Sequence, residues 1–188
     1  MAKQKGNVVT HGLSGKIGDL LVFRQVDGKT VISKVPEPPK KVSEKQAEQR
    51  RRFRQAVIYA RSAVESPETK EVYDKIAGKK GKTPFIAAVA DFLHVPEIRR
   101  IDLSDYSGQA GDTIRIEVED DAMIKYVRVG IIAADGTVIE EGPATPDISG
   151  YLWTYAAKQD NNLFHYGKIV VSVSDLPGNV VEGSEELV

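Results

Sequence analysis

Residues 43–65 read SEKQAEQRRRFRQAVIYARSAVE, without a glycine or a proline. Ser43 followed three positions later by Gln46 is a capping-box start, so the spacing predicts one long helix of roughly 30 Å at about 1.5 Å per residue. Its apolar residues Phe53, Ala56, Val57, Ala60, Ala63 and Val64 recur at the i, i+3, i+4, i+7 spacing of a single buried stripe. Before Phe53 the stripe stops: that face carries Gln46 and Gln49, and Arg50, Arg51, Arg52 and Arg54 crowd the junction. One end of the helix is therefore expected in a core. The other is offered to solvent, to another segment or to a partner.

Upstream, Leu20 to Gln25 and Thr30 to Lys34 are β-rich runs around Asp27-Gly28, a strong hairpin signal. Asn7 to Thr10 offers a third strand, and Gly12, Gly15 and Gly18 space a flexible lead-in. An isolated hairpin is marginal in water, so this one is expected to lie on another surface. Residues 35–42 form a proline-stiffened connector.

Downstream, Ser66-Pro67 and Thr83-Pro84 repeat a helix-start signal, with proline at the first helical position. They open helices bearing Val72, Tyr73 and Ile76, then Phe85, Ile86, Val89, Phe92 and Leu93, before Pro96 stops the last. From Ile98 the period changes to two: Ile114, Ile116 and Val118, then Val127, Val129 and Ile131, then Ile169, Val171 and Val173 alternate with polar residues. About seven short strands with Trp153 as core anchor predict an immunoglobulin-like sandwich. The expected fold class is α+β in two domains: a basic β-hairpin plus three-helix module over 1–95, and an acidic all-β sandwich over 96–188.

The charge divides at the same place. Residues 1–100 hold 21 Lys/Arg against 11 Asp/Glu, about +10, and residues 101–188 hold 5 against 16, about −11, although the whole chain is at −1. With no cysteine, disulfides and thiolate chemistry are excluded. The opening MAKQKGNVVTHG lacks an apolar core and no apolar run reaches bilayer length, so a cytoplasmic protein without a membrane span is expected.

Ile116-Glu117-Val118-Glu119-Asp120-Asp121, Val127-Arg128-Val129 and the closing Ile169 to Asp175 with Pro177-Gly178-Asn179 resemble a bacterial Ig-like module, which commonly ends in a strand followed by Asp-x-x-Gly-Asn. Gly15-Lys16-Ile17-Gly18-Asp19-Leu20, Gly28-Lys29-Thr30-Val31, the Pro-rich spacer and Ser43-Glu44-Lys45-Gln46 resemble an uncharacterised family of bacterial proteins of unknown function. The resemblances imply a fold for the second half and a non-enzymatic role. Without the cysteine pair of antibody domains, nothing about antigen receptors transfers.

No catalytic constellation emerges, and neither a cofactor nor a small-molecule substrate is expected. Gly12 to Gly18 fails as a phosphate loop, because Ile17 follows the lysine and a strand follows the loop. His11, His94 and His165 lack a second ligand at metal spacing. Asp102, Asp105, Asp112, Asp120, Asp121 and Asp147 fall in or near loops without EF-hand spacing, so solvated acidic loops outweigh calcium. The basic cluster Lys40, Lys41, Lys45, Arg50, Arg51, Arg52 and Arg54 makes the main functional claim. Solvation or intramolecular pairing, a protein partner, and phosphate neutralisation are its three readings. The expectation is a structural or interaction protein, an assembly subunit of the kind found in phage virions or tail-like machines, with self-association or protein partners. The alternative is a nucleic-acid-binding protein using residues 1–61, where 14 Lys/Arg face 5 Asp/Glu.

Overall fold

A computed structural model describes residues 2–4, 12–26, 28–37, 42–161 and 165–187, with the side chains of 2–4, 79 and 80 outside that description. It is a mixed α+β fold, mostly β, with three helices and three four-stranded antiparallel sheets among the described residues. The chain falls into two compact units, Met1–Ala47 and Glu48–Val188. The expected seam between 95 and 96 lies inside the second.

In the first unit, β1 (Ala2–Gln4), β2 (Gly15–Ile17), β3 (Leu21–Val26) and β4 (Lys29–Lys34) form a sheet in the order β1-β4-β3-β2. Val26 pairs with Lys29, so the predicted two-residue hairpin is present, with Gly28 at φ 71°. The glycine-spaced lead-in is not a free segment: Gly15, Lys16 and Ile17 pair with Phe23, Val22 and Leu21. Backbone pairing to a neighbouring strand recruits them, whatever their own propensity. The candidate strand Asn7 to Thr10 lies outside the described residues. Of the described side chains in this sheet only Phe23 and Thr30 are buried, while Ile17 and Val26 are exposed.

The boundary between the units falls within α1 (Glu44–Glu65). The capping box forms as read: the Gln46 amide nitrogen donates to Ser43 Oγ at 3.3 Å, and the Ser43 nitrogen donates to Gln46 Oε1 at 3.2 Å. α2 (Pro67–Lys80) and α3 (Pro84–Leu93) both open on proline, and Thr83 Oγ1 accepts from the Ile86 nitrogen. The three helices meet through small residues, Ala60, Ala63, Ala77, Ala87 and Ala88, around the buried Tyr73. Alanine at these contacts lets the backbones approach closely, and Ala122 and Leu176 from the strand loops pack against the same cluster. Phe53 departs from its predicted buried stripe: it is 52% exposed, and burial on that face begins at Ala56.

The remaining strands are β5 (Glu97–Asp102), β6 (Thr113–Glu119), β7 (Ile124–Ile132), β8 (Val138–Pro143), β9 (Thr145–Pro146), β10 (Leu152–Ala156), β11 (Lys168–Asp175) and β12 (Val180–Glu186). They form two sheets, β5-β6-β10-β9 and β12-β11-β7-β8. The alternating residues of β6, β7, β10 and β11 enter one shared core with Trp153, as their period of two requires. One strand more than expected appears, because the turn-rich segment after β8 contributes Thr145–Pro146 at a sheet edge, where proline's missing donor costs no ladder bond.

Candidate functional site

α3 is apolar along most of its length, and Ala87, Ala88 and Asp91 share its inward face. An acid among alanines must find partners or keep its proton, because burying an unpaired charge costs several kcal/mol. Asp91 is 1% exposed. Its Oδ2 accepts a 2.6 Å hydrogen bond from the Tyr73 hydroxyl on α2, whose oxygen lies 2.7 Å from the Tyr59 hydroxyl on α1. With the single Tyr73 proton committed to Asp91, Tyr59 is the donor in the second bond, so each helix contributes one member of a hydrogen-bonded chain. The Tyr59 and Tyr73 rings meet edge-on at 6.4 Å, and Phe92 lies 5.5 Å from the Tyr59 ring.

Three further carboxylates lie within electrostatic reach on the strand side: Asp120 and Asp121 after β6, and Asp175 at the end of β11. Burial pushes the Asp91 carboxyl up to about 7; the Tyr73 hydrogen bond opposes this, and Asp120, Asp175 and Asp121 reinforce it. Burial also raises Asp175 and Tyr59. Tyr73 is raised by burial and by its bond to Asp91. Two buried carboxylate oxygens, Asp91 Oδ1 and Asp120 Oδ1, have no hydrogen-bond partner. At the surface His94 Nδ1 is paired with Asp121 Oδ2. Asp91, His94, Asp121 and Lys82 line a cavity of about 160 Å³ whose other walls are Ile76, Ala87, Ala90 and Ala122.

The Asp175-to-Asn179 turn fixes this arrangement. Asp175 Oδ1 accepts from the Gly178 and Asn179 nitrogens at 2.8 and 2.6 Å. The Asn179 Nδ2 amide donates to Asp175 Oδ2, to Phe92 O at 3.3 Å and to His94 O at 2.9 Å. A side chain from the strand end thus serves the carbonyls at the C-terminus of α3, groups a helix leaves without internal partners. Asn179→Ala is expected to cost about 1–3 kcal/mol, read as a lower urea midpoint with unchanged slope.

The sequence groups seven basic residues as one candidate surface. Lys40 and Lys41 lie outside the described residues, and Lys45 is exposed on the first turn of α1 in the first unit. Arg50, Arg51, Arg52 and Arg54 are all exposed. Arg52 donates to Leu93 O at 3.0 Å, which gives it an architectural task at the end of α3, and Arg51 sits 3.8 Å from Glu48. The loop aspartates serve their own loops. Asp102 accepts from Ser104, Asp112 from Ser107 and Gln109, and Asp147 from Ser149 and Gly150; these bonds hold all three carboxyls below their ordinary range. Asp105 pairs with Arg115 at 2.5 Å. His11 is outside the described residues, and the His165 ring lies against Tyr166. Among the described residues no group of three or more His, Asp or Glu side chains could hold a metal ion, and no helix is long and apolar enough to cross a membrane.

Asp91 was missed as a site residue from sequence. The signal was one acid at i+3 and i+4 from two alanines on an apolar helix face, but its tyrosine partners stand 18 and 32 positions away. No protein-family model matches the sequence, and no match is found among curated proteins. Among solved structures the chain is similar to CopC from Methylosinus trichosporium OB3b, at 18% identity and TM-score 0.34 over 42% of this chain and 76% of that one. It is also similar to an engineered protein from the Northeast Structural Genomics Consortium, at 18% identity and TM-score 0.37 over 55% and 26%.

Proposed function

We propose that this chain is a non-catalytic assembly subunit whose basic α1 surface docks on the acidic strand-rich half of a second copy. The observation that carries the reading is Phe53: a large apolar side chain, 52% exposed where the buried stripe of α1 ends, amid the exposed Arg50, Arg51 and Arg54. An aromatic ringed by arginines has the composition of an interface anchor. Charge complementarity names the occupant, since about +10 in residues 1–100 faces about −11 in residues 101–188, and the terminal strand β12 displays Glu182, Glu185 and Glu186 to solvent. Such a contact joins unlike surfaces, so it propagates head to tail into a ring or filament, the behaviour of a virion or tail-like component.

In this reading the two-sheet body is an Ig-like module. If β5 to β12 are taken as strands A, B, C, C′, D, E, F and G, the sheets read A-B-E-D and G-F-C-C′, an order that supports it.

Sedimentation velocity tests the proposal. The weight-average coefficient is expected to rise with protein concentration at about 50 mM salt and to fall back at about 500 mM, where the Debye length is roughly 4 Å. Combining Arg50→Glu, Arg51→Glu and Arg54→Glu, with Arg52 left in place for its bond to Leu93, is expected to leave a monomer at every salt concentration. A wild-type monomer at low salt and on the order of 100 µM overturns the self-docking reading. If that monomer also shifts duplex DNA at low salt, the nucleic-acid alternative through residues 1–61 replaces it.

A further inference from the structure

We propose that the cavity beside Asp91 is a binding site for an alkylammonium group, carried by a small primary amine or by the lysine side chain of a peptide. Asp91 is 1% exposed, yet its Oδ1 has no hydrogen-bond partner and its side chain lines the cavity. A buried acceptor without a donor is costly, and a guest that supplies the donor recovers that cost. An ammonium brings three donors and no acceptor, which suits a recess lined by Asp91 and Asp121, where Asp120 and Asp175 add negative potential against the one Lys82 ammonium in the lining. Ile76, Ala87, Ala90 and Ala122 present methyl and methylene groups that would cover the alkyl stem, and His94 and Lys82 complete the lining. A volume of about 160 Å³ takes about five heavy atoms at the roughly 30 Å³ that a water fills in the liquid, the size of n-butylammonium. A metal ion fits less well, because no three His, Asp or Glu side chains converge among the described residues.

Binding is coupled to protons. The titratable groups facing Asp91 are Tyr59 and Tyr73 from the helices, Lys82 beyond α2, His94 and Asp121 at the rim, and Asp120 and Asp175 from the strand side. Asp91 itself holds its proton to about 7, so the guest must displace it. The competent carboxylate form is then nearly complete at pH 8.5 and about one-tenth populated at pH 6, so apparent affinity is expected to weaken about tenfold between them. The site rests on its own geometry and not on the docking proposed for α1, and its failure would register in a titration that sedimentation does not touch.

The test is methyl NMR of the full chain labelled at alanine, titrated with n-butylammonium, with N-acetyl-lysine methylamide and with n-butanol. Saturable shifts confined to Ala87, Ala90 and Ala122 are expected for one or both cations at pH 8.5, with half-saturation on the order of millimolar, as five heavy atoms allow. They are expected to be about tenfold weaker at pH 6 and absent with n-butanol. Binding of n-butylammonium alone assigns a free amine; binding of the lysine derivative as well assigns a peptide side chain. Asp91→Asn, which keeps an acceptor for Tyr73, and Ala90→Leu, which fills the cavity, should each abolish the shifts while leaving the remaining methyl spectrum in place. No saturable shift from either cation at pH 8.5, an equal response to n-butanol, or an undiminished response in a folded Asp91→Asn protein would overturn the proposal.

Discussion

Between pH 4 and pH 8 the unfolding free energy is expected to fall by up to about 4 kcal/mol, and Asp91→Asn is expected to remove most of that slope. In the unfolded chain Asp91 returns to its ordinary value of 3.8, whereas in the folded protein burial holds the proton to about 7. Across that window the folded state binds more protons than the unfolded state, so stability declines as pH rises. Below about pH 4 both states are protonated and the contribution is whole; above about 7 it is lost. Asp175, also raised by burial, acts in the same direction. Asp102, Asp112, Asp135 and Asp147 are held below their usual range by loop hydrogen bonds, so their contributions are present above about pH 4 and are lost as pH falls further. The two families therefore separate by window. Urea midpoints at pH 4, 6 and 8 for both proteins check the expectation, and parallel slopes would assign the pH dependence to other groups.

Trp153→Ala is expected to cost about 3–5 kcal/mol, a large share of the 5–15 kcal/mol typical of a whole domain. Trp153 is 6% exposed, stands opposite Ile116 in the β6–β10 pair, and donates its indole Nε1 proton to Gly150 O at 3.0 Å. Truncation removes a large apolar surface and leaves a void between two sheets whose strands cannot collapse inward without breaking register. Trp153→Phe should cost less, since it retains most of the volume and loses the hydrogen bond. As Trp153 is the only tryptophan, unfolding of the variants must be followed by circular dichroism. A loss below about 1 kcal/mol for the alanine variant would mean that the core repacks around the site.

What the sequence made legible is what short-range physics decides. The Ser43–Gln46 box, the hairpin closed by Val26 and Lys29, the proline starts at 67 and 84 and the period-two strands each depend on residues a few positions apart, and each appears where it was read. The departures involve distant partners. Gly15 to Ile17 becomes a strand because β3 offers it a ladder, and Phe53 stays exposed because the cluster of helix residues that buries Ala60 and Ala63 does not include it. The same holds for the candidate sites. The arginines were visible as composition, although the task of Arg52 at Leu93 was not. Asp91 acquires its character only when Tyr73 and Tyr59 arrive from two other helices.

The Asn179 side chain, with its carboxamide bonded to Phe92 O and His94 O, also determines how the molecule answers to ionic strength. The end of α3 and the turn before β12, which come from stretches of opposite sign, are riveted there by an uncharged group, in bonds that dissolved electrolyte screens little. Brine should therefore leave the helices seated on the strands.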